Sequence, residues 1–121
     1  MKKISSAVKI FKALGNDLRL QIFIFLQREP LCNCELVKLL GVSQSAVSQH
    51  LARLLDEDLV ESLRVGQWTF YRSNPEILTT AVEQLTAHGH TDKTLQNKID
   101  RVLKKNLCSI RSEDGSLPTN F

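Results

Sequence analysis

Between residues 34 and 73 the apolar residues change their period, and that change limits what the chain can fold into. "CELVKLL" keeps helical spacing and stops at Gly41, a residue suited to a left-handed cap. After a tight turn, Ser43 is placed to cap "QSAVSQHLARLLDED", where Val47, Leu51, Leu54 and Leu55 form one stripe. The period then falls to that of a strand. "LVESLRV" and "WTFYRS" carry Val60, Leu63, Val65, Trp68, Phe70 and Tyr71, and they meet at Gly66-Gln67 as a hairpin. A short helix, a glycine turn, a second helix and a hairpin predict a mainly α fold with a small β-hairpin, a winged helix-turn-helix.

The flanking segments fit that frame. Ile4, Ala7, Val8, Phe11 and Leu14 predict a first helix closed by Gly15-Asn16. Asp17 is expected to cap "LRLQIFIFLQRE", a helix apolar around most of its circumference and therefore central to the core, with Pro30 ending it. Beyond the hairpin, Asn74-Pro75 opens a helix carrying Ile77, Leu78, Ala81, Val82 and Leu85, which Gly89 is expected to interrupt. "DKTLQNKIDRVLKKN" is a last amphipathic helix. With 121 residues the expected organisation is one winged helix-turn-helix domain for DNA binding and dimerisation, residues 1–106, and a flexible polar tail, residues 107–121.

The face of the second helix opposite its apolar stripe holds Ser45, Gln49, Ala52 and Arg53. A merely solvated face is usually rich in Lys and Glu. Small side chains with Gln and Arg suit approach to base edges, because Gln and Arg bond bidentately to adenine and guanine. Arg64 and Gln67 fall near the hairpin tip, where they can reach phosphate or the minor groove or simply face solvent. The net charge of +3 permits a nucleic-acid partner without requiring one. A protein-docking module of the same fold is the alternative of a different class. No nucleophile–base motif or phosphate loop points to an enzyme.

"PLCNCEL" is the unusual stretch. Cys32 and Cys34 can be small buried hydrophobes, a disulfide half each, or a pair of ligands for a soft ion. An odd cysteine count, with Cys108 the third, argues against a disulfide framework. No apolar run approaches the ~20 residues of a membrane span, and "MKKISSAVKIFKAL" is amphipathic rather than a signal sequence. The expected location is cytoplasmic, with thiols kept reduced and no membrane partner. The helix N-terminus is expected to lower the thiol pKa values. Residues two apart on a helix face about 200° away from each other. Both sulfurs can share an ion only if Cys32 lies outside the helix or the first turn unwinds, and such capture would strain the start of that helix.

These residues resemble the ArsR/SmtB family of bacterial metal-responsive repressors. The likeness runs from about Lys9 to Leu78 through "KALGNDLRLQIFIFL", "PLCNCELVKLLGVSQSAVSQHLARLLDEDLV" and "VGQWTFYRSNPEI". It implies a homodimer built on the first and fifth helices, bound to palindromic double-stranded operator DNA and released by metal. By the same likeness Ser45, Ser48, Gln49 and His50 lie in the DNA-reading segment, and Ser43, Gln44, Arg53, Arg64 and Gln67 join them as candidate DNA contacts from their places at the helix start, on its outward face and on the wing. His50 lies at the flank of the buried stripe and equally suits packing. "LCNCEL" looks like the family's arsenic and antimony sensing motif, so Cys32 and Cys34 are expected to take As(III) or Sb(III) as inducer, with no permanent cofactor. Cadmium and lead stay open as alternatives. Some members carry a third cysteine one turn later, where this chain has Val37. Cys108 is either the third sulfur or a bystander. A related branch binds zinc on the fifth helix, but His88 and His90 flank Gly89 and lack an acidic partner at the needed offset, so they are read as helix-end residues. A thiol redox or persulfide sensor of the same fold is the alternative within regulation.

Overall fold

The computed structural model describes residues 2–105, 107 and 110–118. Its elements run α1 (Lys2–Leu14), α2 (Asp17–Arg28), β1 (Leu31–Cys32), α3 (Asn33–Leu40), α4 (Gln44–Asp56), β2 (Val60–Val65), β3 (Trp68–Ser73), α5 (Pro75–Thr91) and α6 (Lys93–Leu103). The chain divides into two compact units, residues 1–85 and 86–121.

In the first unit Ile22, Phe23 and Leu26 of α2 pack with Ala13, Leu36, Val47, Leu51, Leu54, Leu59 and Val60 into one core. The stripe on α4 is buried as its spacing predicts, with Leu55 half-buried at its edge. α2 is central to the core as expected, but not all of its apolar circumference is covered: Leu20 and Ile24 lie on its outer side, 43% and 53% exposed. The helix is apolar on two faces, and only one meets the core. Its cap is corrected. Asn16, not Asp17, is the N-cap, with Oδ1 accepting from the N–H groups of Leu18 and Arg19 at 3.0 and 3.1 Å. Asp17 becomes the first helical residue, where its charge still suits the positive end of the dipole.

The sheet has three antiparallel strands in the order β1-β3-β2. The hairpin closes at Val65↔Trp68, and Gly66 takes φ 60° while no positive φ occurs at Gln67, the pattern of a type II′ turn. β1 is the element that the sequence alone does not predict. Pro30 forces Glu29 into extended backbone (φ −156°, ψ 138°), and the chain leaves it as a strand pairing Leu31 with Tyr71 and Cys32 with Phe70. Ser73 Oγ donates to the Phe23 carbonyl at 2.5 Å and ties β3 to α2.

α3 ends at Gly41, whose φ of 67° lets its N–H bond the Val37 carbonyl at 2.9 Å. α5 does not stop at Gly89 but continues to Thr91, since one glycine costs a helix only about 1 kcal/mol. In the second unit Asp92 caps α6, and residues 111–116 form a turn held by Arg111 Nη1 donating to the Gly115 carbonyl at 2.6 Å. Among the described residues no helix is long and apolar enough to cross a membrane.

Candidate functional site

β1 delivers Cys32 to the start of α3 in extended conformation (φ −89°, ψ 169°), so Cys32 is the N-cap and stands outside the helix. Asn33 is the first helical residue and Cys34 the second. This geometry resolves the spacing problem without unwinding: Cys32 Sγ and Cys34 Sγ lie 3.0 Å apart. The expected strain at the helix start is therefore not needed for both sulfurs to face one point. Cys32 is buried and Cys34 exposed. Trp68 and Phe70 of β3 and Glu35 complete an open recess around the two thiols.

Glu35 and Cys32 form a capping box in which a cysteine occupies the usual Ser/Thr place. The Cys32 N–H donates to Glu35 Oε1 at 3.0 Å, and the Glu35 N–H faces the Cys32 side chain. That bond, with a further one from the Cys32 thiol, holds the Glu35 carboxyl below its ordinary pKa. Cys32 goes the other way from the sequence expectation. Burial above all, then the bond to Cys34 and the neighbouring Glu35 carboxylate, raises its pKa, and the Glu35 N–H offsets this only in part. Cys32 is therefore a protonated thiol at neutral pH.

The separation fits a soft ion. Two convergent sulfurs are a donor pair of the kind that thiophilic ions select. Among the described residues no group of three or more His, Cys, Asp or Glu is placed to hold a metal. Val37 stands one turn into α3 without a donor atom, and Cys108 lies outside the described residues.

The DNA-reading candidates occupy two places. On α4 and its cap, Ser43, Gln44, Ser45, Ser48, Gln49 and Arg53 are all exposed; of these the wheel places Ser45, Gln49 and Arg53 outward. Ser43 Oγ also accepts from the Ala46 N–H at 3.1 Å, so one role of that side chain is capping. Arg64 and Gln67 are exposed at the hairpin tip, where Arg64 Nε donates to the Gly66 carbonyl at 3.2 Å. His50 turns away from this face. It is half-buried with Nδ1 3.5 Å from Arg19 Nη1, and burial followed by the Arg19 charge lowers its pKa, so it is neutral at pH 7.

Other residues enter that the spacing did not reveal. Asn33, between the cysteines, donates from Nδ2 to Ser48 Oγ on α4 at 2.8 Å. Arg19 braces both the α1 end, through the Ala13 carbonyl at 2.5 Å, and His50. Trp68 and Phe70, apolar hairpin residues in the sequence, line the thiol recess because β1 pairs with β3. Only the proline before "LCNC" hinted at such a strand. His88 has an acidic partner after all: Asp92 Oδ2 lies 3.3 Å from its Nδ1, four residues on. Among the described residues no third donor joins them, so this is a contact at the end of α5 and not a metal site.

Residues 16–62 match the family described as bacterial regulatory protein, arsR family. The chain is 36% identical over 107 residues to the arsenic resistance transcriptional regulator ArsR2 of Pseudomonas putida, covering 88% of this chain and 87% of that one. It is 31% identical over 108 residues to the arsenical resistance operon repressor of Escherichia coli, covering 88% and 92%. In structure it is similar to the homodimeric winged helix-turn-helix DNA-binding domain of a possible ArsR-family regulator from Mycobacterium bovis, with TM-score 0.59, 25% identity and 74% and 85% coverage.

Proposed function

Because this chain belongs to the arsR family of bacterial regulatory proteins, whose members are winged helix-turn-helix DNA-binding regulators, we propose that it is a homodimeric repressor released from a palindromic operator when As(III) or Sb(III) binds Cys32 and Cys34. The observation that carries the ligand is the 3.0 Å approach of the two sulfurs at the N-cap of α3, immediately before the helix pair that would read DNA. Two regulators named for arsenic or arsenical resistance, similar over nearly nine-tenths of this chain, support the same ligand class.

The chemistry balances with protonated thiols. As(OH)3 and two thiols give two As–S bonds; each S–H proton leaves with a hydroxide as water, and one hydroxide stays on arsenic. No oxidant is consumed. Two sulfurs suffice for this step, and a third donor, from Cys108 or from a small thiol, would replace the remaining hydroxide.

On the DNA side the exposed row of α4 enters the major groove, with Gln49 and Arg53 reaching base edges and Ser43, Gln44, Ser45 and Ser48 at the helix N-terminus. Arg64 and Gln67 on the wing contact the backbone beside it. His50, facing Arg19, supports α4 rather than reading a base. Dimerisation uses α1 and α5, where Val8, Phe11 and Val82 present apolar surface to solvent in the single chain. The similar M. bovis domain is itself homodimeric.

The test is titration of sodium arsenite into the reduced protein bound to fluorescent operator DNA. Wild type is expected to dissociate, and Cys34→Ser to bind DNA with wild-type affinity but stay bound. Dissociation of Cys34→Ser at the wild-type arsenite concentration removes the pair from the mechanism. Release by a mild oxidant and not by arsenite replaces the metalloid reading with a redox one.

A further inference from the structure

Asn33 holds the middle position of Cys-Asn-Cys, yet its side chain leaves the thiol recess and bonds Ser48 on the exposed row of α4 at 2.8 Å. Among the described residues no other side-chain hydrogen bond joins the Cys32–Cys34 segment to α4. The contact is made although Asn33 Oδ1 is buried without any partner. A buried orphan acceptor is a cost that an apolar residue at this position would avoid, and such groups in folded proteins call for an explanation. Ser48 Oγ accepts from the amide, which leaves its own proton to donate to another acceptor.

We propose that Asn33 is the positioning residue that couples the thiol pair to the DNA-reading face, by holding the Ser48 hydroxyl oriented as a donor to DNA when the thiols are empty. The proposal rests on the metalloid reading above and adds the route by which the ligand is felt. Cys32 and Cys34 flank the two peptide units of Asn33. Joining their sulfurs through one ion replaces the 3.0 Å thiol–thiol contact with two sulfur–ion bonds, which parts the sulfurs and turns those peptides. The Asn33 amide moves with them, and a bond of 2.8 Å is lost after a displacement of well under 1 Å. Ser48 then loses the partner that orients it. The ligand thus favours the state without the Asn33–Ser48 bond and DNA favours the state with it, which is the differential affinity that release requires. By reciprocity DNA must weaken arsenite binding by the same factor.

The experiment uses the full chain, sodium arsenite, and an operator duplex selected by the protein from random sequence. DNA affinity is measured with and without arsenite for wild type, Asn33→Ala, Ser48→Ala and the double variant, and arsenite binding to each free protein is followed by As–S absorption. The coupling ratio, affinity without arsenite over affinity with it, is expected to fall roughly fivefold or more in Asn33→Ala while the free protein still binds one arsenite per chain. Ser48→Ala, altered only on the exposed face of α4, is expected to show the same fall, and the double variant no further one. An unchanged ratio in Asn33→Ala, or independent losses that multiply in the double variant, overturns the coupling. Failure of arsenite to release wild type overturns the functional reading instead, so the two failures are distinct.

Discussion

Cys32 holds its proton because burial, the Cys34 thiol and the Glu35 carboxylate all disfavour negative charge on its sulfur. That discriminates between two classes of soft ion. A hydroxo-metalloid such as As(OH)3 takes up the thiol proton as water, so its binding exchanges no net proton while the thiol is protonated. A divalent cation such as Cd(II) must expel that proton to solvent, and its affinity falls as pH falls. The sign follows from the direction of the shift. Since the Cys32 pKa lies above its ordinary value of 9.0, the proton is present throughout the neutral range and must be displaced at every pH there. Cys32 is therefore expected to add no pH dependence to arsenite affinity between about pH 6 and pH 8, whereas Cd(II) affinity should rise about tenfold per unit from Cys32 alone. Competition titrations at several pH values check this. A Cd(II) affinity as flat as that of arsenite would show that Cys32 is already a thiolate.

At the scale of elements, the turn between α3 and α4 sets how the thiol-bearing helix meets the one proposed to read DNA. Gly41 carries it with φ 67°, and a Cβ built there meets nothing within 4 Å. Gly41→Ala therefore pays only for the left-handed backbone, about 1 kcal/mol, and lowers Tm by about 4–8 °C. Gly41→Asn is expected to recover part of that loss, because Asn tolerates the conformation. Thermal melts of the three proteins decide it; a loss above about 3 kcal/mol in Gly41→Ala would mean a packing role that the open space around the turn denies. This turn, the α4 stripe and the hairpin were legible in the sequence because each rests on local rules: a cap, a period, a turn residue. β1 was not, since two residues carry no period and exist as a strand only through Phe70 and Tyr71 across the sheet. Asn16 and Asp17 are both good caps in adjacent positions, and only the backbone, extended at Asn16, chooses between them. Gly89 read as a break because glycine disfavours helix, but α5 carries it through.

At the scale of the molecule, what the sequence could not show is what long-range packing brings together. Both cysteines were legible as a pair; their 3.0 Å approach depends on β1, and the Asn33–Ser48 bond spans fifteen residues and two helices. His50 was ambiguous on the wheel because its environment is supplied by Arg19, from another helix. In the proposed dimer the same dependence on other surfaces extends beyond the single chain. α1 and the first part of α5 flank one recess lined by Ala7, Ile10, Ile77 and Ala81, and α1 leaves Val8 43% and Phe11 41% exposed. A two-fold interface repeats each contact, so one substitution acts twice. Phe11→Glu removes a large apolar contact and places two like charges near the axis, costing the dimer an expected 2 kcal/mol or more, about thirtyfold in its dissociation constant. Because a palindrome is read by two α4 helices held at fixed spacing, the variant should lose affinity for the full operator far more than for an isolated half-site. It should also show a shallower salt dependence, since a monomer contacts about half as many phosphates. Sedimentation of the free protein beside operator titrations at several salt concentrations measures all three. A Phe11→Glu protein that stays dimeric and binds the full operator as wild type does would place the dimer interface elsewhere.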